Sequence, residues 1–365
     1  MTARFILIGG FLGAGKSTTV ARLARHYTGQ GKKVGIVTND QTTDLVDTHS
    51  LRSQGFDVGE VAGACFCCSF NELTRTVDDL SSGQLPDVII AEPVGSCTDL
   101  VATVIRPLES VYATPLEIAP YGVILKPSHG LRILSEDESG GFSPKAAYIF
   151  RKQIEEADFV IINRIDELPA EKVSLLASLI HQQYPGRPLI RMSAKTGEGF
   201  EAYLQFIEQR GHFGTRVMEV DYDIYAAGEA ELGWLNSQFH LSASAPVKLD
   251  ALLVELVSSL QAKLTSERAE IAHLKAIGMA DGNYAVANSV SSFTQPELSL
   301  PSAASVTEAD IVVNARVATA PERLEELVRQ QIDAIAAQFG GLATIDTMQS
   351  FRPGRPVPTH RILLA

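Results

Sequence analysis

Residues 10–17 constrain the fold of this chain more than any other stretch. They read G-F-L-G-A-G-K-S, which fits the pattern G-x-x-x-x-G-K-[S/T] at every fixed position. An apolar run at residues 5–8 precedes them, and an amphipathic helical pattern follows. Glycines let the backbone curl until successive N–H groups face phosphate oxygens, and the helix adds the positive end of its dipole. The segment predicts a strand, a loop and a helix that together bind nucleotide phosphates.

Each position of this loop has an expected task. Lys16 should reach the β- and γ-phosphates and support catalysis, and the Ser17 hydroxyl should ligate Mg²⁺. The alternative is a glycine-rich turn that binds nothing, but the strand, loop and helix fall where the motif needs them. The residues expected to contact the nucleotide here are Gly10, Gly13, Ala14, Gly15, Lys16, Ser17 and Thr18.

The length and charge of the chain limit its class. At 365 residues it exceeds one ordinary domain, so we expect a P-loop domain over residues 1–212 and a smaller domain over residues 213–365. The formal net charge of -12 argues against nucleic acid or an anionic membrane as the main partner. No apolar run approaches the roughly 20 residues that span a bilayer. An early first strand leaves no room for a signal peptide, which favours the cytoplasm, where the 4 cysteines stay reduced.

Hydrophobic periodicity predicts an α/β fold for residues 1–210, with a mostly parallel sheet flanked by helices. Residues 128–143 are rich in glycine, serine and acidic side chains, which predicts a loop. The predicted strands lie near 4–8, 34–38, 57–61, 87–91, 121–125, 158–162 and 188–192, and the helices near 16–28, 70–81, 145–156, 170–184 and 199–209.

The pattern changes after about residue 211. The order becomes β-α-β-β-α-β, which predicts a ferredoxin-like α+β domain followed by a basic, proline-rich tail at residues 351–361. The tail can dock on an acidic partner, dock on the nucleotide domain or stay solvated. The predicted strands are 231–243, 284–293, 309–318 and 343–350, and the helices 248–277 and 321–339.

Two short motifs, each after a predicted strand, indicate guanine as the base. N-R-I-D at residues 163–166 matches N-K-x-D with arginine in place of lysine, and S-A-K at residues 193–195 matches the loop that contacts the guanine oxygen. The Asp166 carboxylate can accept hydrogen bonds from the ring N–H and the exocyclic amine of guanine, which adenine does not offer in that arrangement. Arg164 can stack over the base. The sequence therefore predicts GTP and GDP, bound through Asn163, Arg164, Asp166, Ser193, Ala194 and Lys195.

E-P-V-G at residues 92–95 supplies the third element of a nucleotide site. It follows the predicted strand 87–91, where phosphate-loop proteins place the acidic group that organises Mg²⁺ and its water. Glu92 is therefore the expected partner of Ser17 on Mg²⁺ and a catalytic residue. Gly95 can turn an N–H toward the γ-phosphate and so sense hydrolysis. The alternative is an ordinary loop glutamate.

Cys65, Cys67 and Cys68 lie within four residues, directly after the predicted strand 57–61. A looped backbone lets such thiolates converge on one soft cation, and three ligands leave an open position from which a metal can be passed on. Zn²⁺ is the first expectation, and Co²⁺ or Ni²⁺ stay open. The alternatives are small packing residues and a redox pair. Cys97 stands apart from the three and is assigned to packing.

Together these motifs resemble the CobW family of P-loop GTPase metallochaperones and cobalamin-related maturation factors, whose relatives include the urease and hydrogenase nickel GTPases. The resemblance covers residues 4–209, and L-G-W-L-N at residues 232–236 resembles a strand of the family's second domain. It supports metal binding by C-F-C-C. It also implies that Asp40, which resembles the family's acidic residue in an N-E segment, touches the catalytic water, Mg²⁺ or the transported metal. The chain departs from the family in having 8 scattered histidines and Lys126 where relatives commonly have aspartate.

The sequence predicts a slow GTPase that couples its nucleotide state to delivery of a divalent metal to a metal- or corrinoid-dependent client, with a homodimer left open. Intrinsic turnover should be on the order of 10⁻³ per second, because transition-state charge is poorly neutralised until a partner completes the site. The first alternative is a maturation or regulatory GTPase whose cysteines are structural. The second is a small-molecule kinase, which would not need N-R-I-D, S-A-K or C-F-C-C.

Overall fold

The computed structural model describes residues 2–39, 46–81, 84–135, 143–292 and 294–363. The chain divides into two compact units. Unit 1 contains Met1–Thr43, Gly55–Gly228 and Arg355–Ala365, and unit 2 contains Asp44–Gln54 and Glu229–Gly354. Each unit is therefore assembled from separate stretches of the sequence.

Up to residue 229, strands and helices alternate as predicted for an α/β fold. A π-helical turn, Val101–Ile105, leads into the fourth helix, and a 3₁₀ turn, Ile165–Glu167, follows the seventh strand. The elements in chain order are β1 (Ala3–Gly10), α1 (Lys16–Gly29), β2 (Val34–Asn39), α2 (Val46–Ser53), β3 (Asp57–Val61), α3 (Phe70–Leu80), β4 (Val88–Glu92), α4 (Arg106–Ser110), β5 (Leu116–Ile118), β6 (Gly122–Leu125), α5 (Pro127–Leu134), α6 (Pro144–Glu156), β7 (Phe159–Ile162), α7 (Ala170–Gln183), β8 (Leu189–Arg191), α8 (Phe200–Ile207) and α9 (Tyr222–Glu229).

The strands of unit 1 form one parallel sheet in the order β3-β2-β4-β1-β6-β7-β8, and β5 pairs with the start of β1. β4, β6 and β7 are buried along their whole length, as expected for a sheet with both faces covered. The carboxyl ends of parallel strands lie at one edge of the sheet. The loops that follow β1, β3, β4 and β7 therefore share that edge, and they carry the predicted phosphate, cysteine, E-P-V-G and N-R-I-D motifs.

The predicted parallel sheet is confirmed, and all of its predicted strands are present with small shifts at their ends. The strand β5 was not predicted, because its three residues are too few to show an alternating hydrophobic pattern. The predicted loop at residues 128–143 is wrong over its first part, where α5 extends to Leu134. Pro127 opens this helix, and Ile133 and Leu134 are buried, so packing outweighs the loop-like composition. Residues 136–142 lie outside the described part.

Unit 2 contains an antiparallel sheet with two long helices. After α9 the elements are β9 (Gly233–Lys248), α10 (Leu249–Ser266), β10 (Ile271–Ala280), β11 (Asn283–Ser289), β12 (Glu297–Leu300), β13 (Ser305–Val317), α11 (Pro321–Gln338) and β14 (Gly341–Phe351). The strand order is β12-β11-β10-β13-β9-β14. The inner order β10-β13-β9-β14 is that of a ferredoxin-like β-α-β-β-α-β module, as predicted, and β11 and β12 extend it at one side.

One boundary within unit 2 was predicted wrongly. The helix expected over residues 248–277 ends at Ser266, and the following residues form the central strand β10. Arg268 adopts a left-handed φ of 59°, which ends the helical path. β10 pairs with both β11 and β13, so sheet pairing overrides the local helical pattern. The predicted strand 284–293 is therefore β11 rather than a strand of the inner module.

The helix α2 belongs to unit 2, although it lies between two strands of unit 1 in the sequence. Val46 packs against Ile277, Val286 and Val312 on the sheet face opposite α10 and α11. The Val46 N–H also donates to the side-chain oxygen of Asn314 at 2.9 Å. Asp47 forms an ion pair with Lys275 inside this unit.

The compact units differ from the division predicted at residue 212. The chain continues in unit 1 to Gly228, and residues from Arg355 onward return to unit 1. A boundary at residue 212 between two domains that fold separately remains a prediction. Among the helices in the described residues, none is long and apolar enough to cross a membrane.

The core of unit 2 gives a direct stability prediction. Leu253 of α10 is fully buried between the helices and the sheet, whereas Leu342 of β14 is 79% exposed. Leu253→Ala should lower the free energy of unfolding by about 2–5 kcal/mol, because the substitution leaves a cavity. Leu342→Ala should change it by less than about 0.5 kcal/mol. The measurement is urea unfolding followed by fluorescence of Trp234, the single tryptophan of the chain, which lies in unit 2. Equal effects of the two substitutions would contradict this core.

Candidate functional site

Glycines shape the phosphate loop between β1 and α1. Gly10, Gly13 and Gly15 have φ values of 139°, 73° and 92°, a region that other residues rarely adopt. A Cβ on Gly10 would lie 2.3 Å from the carbonyl oxygen of Ile124, and a Cβ on Gly15 would lie 2.4 Å from Nδ2 of Asn163. The loop therefore needs glycine at both positions. It ends at the N-terminus of α1, where backbone N–H groups and the helix dipole favour a phosphate.

The hydroxyl of Ser17 and the carboxylate of Glu92 face each other across this loop. Ser17 Oγ donates to Glu92 Oε1 at 3.0 Å, and both Glu92 and Lys16 are largely buried. Hydroxyl and carboxylate oxygens are the ligands that Mg²⁺ prefers, so the pair fits that ion. Gly95 lies against the same loop, because a Cβ on it would be 3.0 Å from the Leu12 backbone nitrogen. The E-P-V-G loop and the phosphate loop are therefore in contact.

Asn163 joins the phosphate loop to the S-A-K loop. It is 1% exposed, its Nδ2 donates to the Ala14 carbonyl oxygen at 2.8 Å, and its Oδ1 accepts from the Ala194 N–H at 2.8 Å. Arg164 follows in a left-handed conformation, with φ of 59°, and its guanidinium lies 3.4 Å from the Gly13 carbonyl oxygen. The N-R-I-D residues are thus placed against both loops that a guanine nucleotide would touch.

The S-A-K loop is fixed from within and from α1. The Thr196 N–H donates to Ser193 Oγ at 3.1 Å, and the Arg22 guanidinium donates to the carbonyl oxygens of Ala194 and Lys195. The side chains of Asp166 and Lys195 are exposed, as is Thr18 at the start of α1. The Asp166 carboxylate is therefore accessible to a ligand. The structure brings the predicted nucleotide residues to one edge of the sheet, with the exception of Asp40, which lies outside the described residues.

The three predicted sulfur ligands converge in the loop between β3 and α3. Their Sγ atoms are separated by 3.0 Å between Cys65 and Cys67, 3.3 Å between Cys65 and Cys68, and 3.7 Å between Cys67 and Cys68. The turn is closed by the N–H groups of Cys68 and Ser69, which donate to the Cys65 carbonyl oxygen at 3.0 and 2.9 Å. Sulfurs at about 2.3 Å from a tetrahedral Zn²⁺ lie about 3.8 Å apart. An outward shift of less than about 1 Å therefore makes room for the ion.

The contacts among the sulfurs shift the pKa values of Cys65, Cys67 and Cys68. Hydrogen bonding with Cys67 first, and then with Cys68 and Cys97, lowers the pKa of Cys65 well below its usual range. Their hydrogen bonds to Cys65 raise the pKa of Cys67 well above its usual range and that of Cys68 to about 11. The contacts among the sulfurs thus favour the thiolate form at Cys65 and the thiol form at Cys67 and Cys68. A divalent cation can replace the donated protons, because thiolates are its ligands.

Asn39, the last residue of β2, holds the cysteine loop in place. Its Nδ2 donates to the carbonyl oxygens of Val61 and Ala64 at 2.9 and 2.8 Å, and its Oδ1 accepts from the Phe66 N–H at 2.9 Å. The expected catalytic residue Asp40 follows Asn39 directly in the sequence. The strand that leads to Asp40 is therefore anchored to the cysteine loop by its final side chain.

The C-terminal segment, residues 355–363, covers the cysteine loop. The Val357 N–H donates to Cys68 Sγ at 3.3 Å. The Thr359 N–H donates to the Cys67 carbonyl oxygen at 2.8 Å, and the Thr359 hydroxyl donates to the Cys68 carbonyl oxygen at 2.9 Å. Of the three open alternatives for the basic tail, the observed one is docking within unit 1.

The same segment reaches the loop that follows β4. Arg361 Nε donates to Asp99 Oδ2 at 2.6 Å, and the Ile362 N–H donates to the Ala102 carbonyl oxygen at 2.9 Å. Asp99 is 1% exposed and also accepts a hydrogen bond from the Tyr222 hydroxyl at 2.7 Å. The C-terminal segment therefore ties the cysteine loop to the loop after β4.

Sequence reasoning missed the roles of Asn39 and of the C-terminal segment. The position of Asn39 directly before Asp40 drew attention to it in the sequence. Its hydrogen bonds could not be predicted, because they join residues far apart along the chain. Cys97 was assigned to packing, and it is 1% exposed. His129 lies in α5, buried against Phe11 with the ring centroids 6.3 Å apart, and burial lowers its pKa well below its usual range.

Comparison with known proteins agrees with these motifs. The nucleotide-binding domain of the CobW/HypB/UreG family matches residues 4–191. The zinc chaperone YeiR of Escherichia coli K12 is 28% identical over 191 residues, which are 50% of this chain and 53% of that protein. The zinc chaperone CobW of a Sinorhizobium species is 25% identical over 225 residues, which cover 54% of this chain and 60% of that protein.

The chain thus spans between about half and about three fifths of these two relatives. A crystal structure of the Zn(II)-bound YjiA GTPase from E. coli superposes with a TM-score of 0.38 at 13% identity, covering 91% of this chain and 99% of that one.

The C-terminal segment should protect Cys68 from reagents. A chain ending at Gly354 loses the three hydrogen bonds from Val357 and Thr359, each worth about 1 kcal/mol net, so alkylation of Cys68 by iodoacetamide should accelerate about tenfold or more. Thr359→Val removes one of them and should give an intermediate rate. Val357→Ala is the matched control, because it keeps the backbone N–H. The rates are measured by peptide mass spectrometry, and an unchanged rate in the shortened chain would contradict the contact.

Proposed function

Because the chain belongs to the CobW/HypB/UreG family, we propose that it binds and slowly hydrolyses GTP and couples its nucleotide state to the binding and delivery of a divalent metal, Zn²⁺ first of all. The observation that carries the proposal is the placement of the three sulfurs. They lie within 4.8 Å of one another, on a loop that is anchored to the end of β2 beside the candidate nucleotide site. A structural zinc site far from the nucleotide would not need that placement.

In this proposal the phosphate loop and Glu92 hold the nucleotide with its Mg²⁺. Lys16 supplies the positive charge for the phosphates, and Ser17 and Glu92 supply oxygens to Mg²⁺, which neutralises charge that develops on the phosphates. Gly95 contacts the phosphate loop, so its backbone can respond to the γ-phosphate. Asp40 keeps its expected role near the water or a metal, as a prediction from sequence.

The base is proposed to be guanine. Asn163 fixes the geometry between the phosphate loop and the S-A-K loop, which leaves the exposed Asp166 carboxylate to accept two hydrogen bonds from the base. Arg164 replaces the usual lysine and lies against the phosphate loop. Its planar guanidinium can stack where the lysine stem would pack.

Zn²⁺ is the proposed cargo because soft thiolates favour it, and Co²⁺ or Ni²⁺ fit the same donors less specifically. The names of the relatives YeiR and CobW, both zinc chaperones, support this choice. The proposed recipient is a metal- or corrinoid-dependent client protein in the cytoplasm, with neither nucleic acid nor membrane as a partner. A homodimer remains compatible with the proposal.

Metal binding by the cysteine loop is the first test. A chain with Cys65→Ser, Cys67→Ser and Cys68→Ser should bind Zn²⁺ at least about 100-fold more weakly, because hydroxyl groups replace all three thiolates. Its affinity for GTP should stay within about threefold of the original, since these side chains are not phosphate or base ligands. Ser69→Ala, on the same loop, serves as the control for Zn²⁺. The measurement is competition with a chromogenic chelator, and Zn²⁺ binding that survives the triple change would refute the proposal.

Guanine recognition is tested separately by Asp166→Asn. The change removes two charge-assisted hydrogen bonds, each worth about 1.5–3 kcal/mol, so GTP affinity should fall by about 100-fold or more. The amide N–H of asparagine can instead donate to the 2-oxo group of xanthine, so XTP should bind better than GTP. Glu171→Gln, an exposed carboxylate at the start of α7, should leave both affinities unchanged. Titration calorimetry measures them, and a variant that still prefers GTP would contradict this assignment.

A further inference from the structure

The least buried of the three clustered cysteines is the one whose sulfur the C-terminal segment contacts. Cys65 and Cys67 are 3% and 1% exposed, whereas Cys68 is only partly buried. The Val357 N–H donates to Cys68 Sγ at 3.3 Å, so it covers the sulfur that an incoming ligand can reach most easily. The two hydrogen bonds of Thr359 to carbonyl oxygens of the cysteine loop hold the segment there. Access to the metal site therefore depends on whether the segment stays docked.

The sequence of the C-terminal segment makes it stiff. Residues 356–358 read P-V-P. Proline fixes its own φ and restricts the residue before it to extended backbone, so the two prolines keep this stretch extended. Because proline carries no N–H, Val357 supplies the one backbone donor of these three residues, and that donor is used on Cys68 Sγ. A stiff segment moves as one body, so the release of its far end also withdraws Val357.

The far end of the C-terminal segment is fastened to a buried carboxylate. Arg361 Nε donates to Asp99 Oδ2 at 2.6 Å, and Asp99 is 1% exposed. Its other oxygen, Oδ1, has no hydrogen-bond partner in the part of the chain that the structure describes. The φ of Asp99 is 63°, a left-handed conformation that most residues other than glycine avoid. The positive charge of Arg361 therefore offsets the cost of burying this carboxylate.

The loop that carries Asp99 also carries the candidate sensor of the γ-phosphate. Gly95 lies against Leu12 of the phosphate loop. The fully buried Gln153 of α6 donates through Nε2 to the carbonyl oxygens of Gly95 at 3.0 Å and Cys97 at 2.9 Å, which joins these two positions. Asp99 follows Gly95 by four positions in the sequence. A shift of Gly95 at the γ-phosphate therefore reaches Asp99 through a short, hydrogen-bonded stretch of backbone.

We propose that the C-terminal segment is a nucleotide-controlled gate over the metal site, closed by the ion pair of Arg361 and Asp99. This inference rests on the proposed function and adds to it the element that decides when the metal can leave. With GTP bound, the γ-phosphate fixes the loop after β4, the ion pair holds and Val357 covers Cys68. After hydrolysis the loop can relax Asp99 from its left-handed conformation, the segment is released and a ligand of the client reaches the metal beside Cys68. The nucleotide controls the gate because it binds one loop position more tightly than the other.

The test measures the rate at which the full chain releases Zn²⁺ to a chromogenic chelator, with GDP or with a non-hydrolysable GTP analogue bound. The original chain should release Zn²⁺ about tenfold more slowly with the GTP analogue than with GDP. Arg361→Gln should give the faster rate in both states, because its amide does not neutralise the buried carboxylate. Arg361→Lys keeps the positive charge but not the planar guanidinium, so it should restore part of the difference.

Two further variants separate the ion pair from a general effect of charge. Asp99→Asn should also give the faster rate, and asparagine accepts the same left-handed backbone. Combining it with Arg361→Gln should add nothing, because the two side chains act as one contact. Arg355→Gln is the matched control: it removes a positive charge from the same segment, but the ion pair of Arg355 with Asp223 is exposed. Its loss should change the rates by less than about threefold.

Amide hydrogen exchange of the unmodified chain supplies a measurement that does not depend on a variant folding. The N–H groups of Val357, Thr359 and Ile362 are all hydrogen-bonded within unit 1. With Zn²⁺ present throughout, they should exchange about tenfold faster with GDP than with the GTP analogue, as read by mass spectrometry of the C-terminal peptide.

Three results would overturn the gate and leave the three-sulfur site intact. The first is equal exchange of the C-terminal segment with the two nucleotides. The second is a release rate of Zn²⁺ that Arg361→Gln leaves unchanged. The third is an acceleration by the same factor in both nucleotide states, which identifies a static cover. Failure of the proposed function itself is a different result, namely Zn²⁺ binding that survives replacement of Cys65, Cys67 and Cys68.

Discussion

One loop, running from the end of β4 to Cys97, is held at both of its ends, and the rest of the site depends on this. At one end Glu92 accepts a hydrogen bond from Ser17 of the phosphate loop, and at the other the Cys97 carbonyl oxygen accepts one from Gln153 Nε2 at 2.9 Å. Parallel pairing of β1, β2, β3 and β4 makes this possible, because it places the loops after these strands along one edge. A ligand that binds at Glu92 more tightly in one position of this loop must therefore favour that position at Cys97 as well.

The second constraint is the cost of bringing sulfurs together. Thiolates repel one another, and the contacts among these sulfurs hold the pKa of Cys65 well below its usual range while raising that of Cys67 well above it. Asn39 fixes the loop from β2, and the C-terminal segment fixes it from outside through Thr359. Both contacts hold the backbone while leaving the sulfurs free to exchange protons for a metal. The arrangement therefore combines a rigid frame with ligands whose charge depends on occupancy.

The parallel sheet, the phosphate loop and the convergence of the cysteines could be predicted from the sequence because each rests on local signals. Glycine at positions 10, 13 and 15 permits the positive φ values that the phosphate loop needs, and apolar runs such as β7 are typical of buried strands. The contacts of Cys97, Asn39 and Thr359 could not be predicted, since they join residues far apart in the sequence. β10 was mistaken for helix because its place between β11 and β13, not its local pattern, makes it a strand.

The most direct measurement of the central claim is the effect of Zn²⁺ on nucleotide affinity in the unmodified chain. Coupling between two sites is reciprocal, so a nucleotide-sensitive metal site requires a metal-sensitive nucleotide site. Calorimetric titration with GDP and with a non-hydrolysable GTP analogue, each with and without bound Zn²⁺, gives both coupling factors. The account predicts that Zn²⁺ changes the affinity of the two nucleotides by different factors, about fivefold or more apart. Equal factors for GDP and the GTP analogue would contradict it.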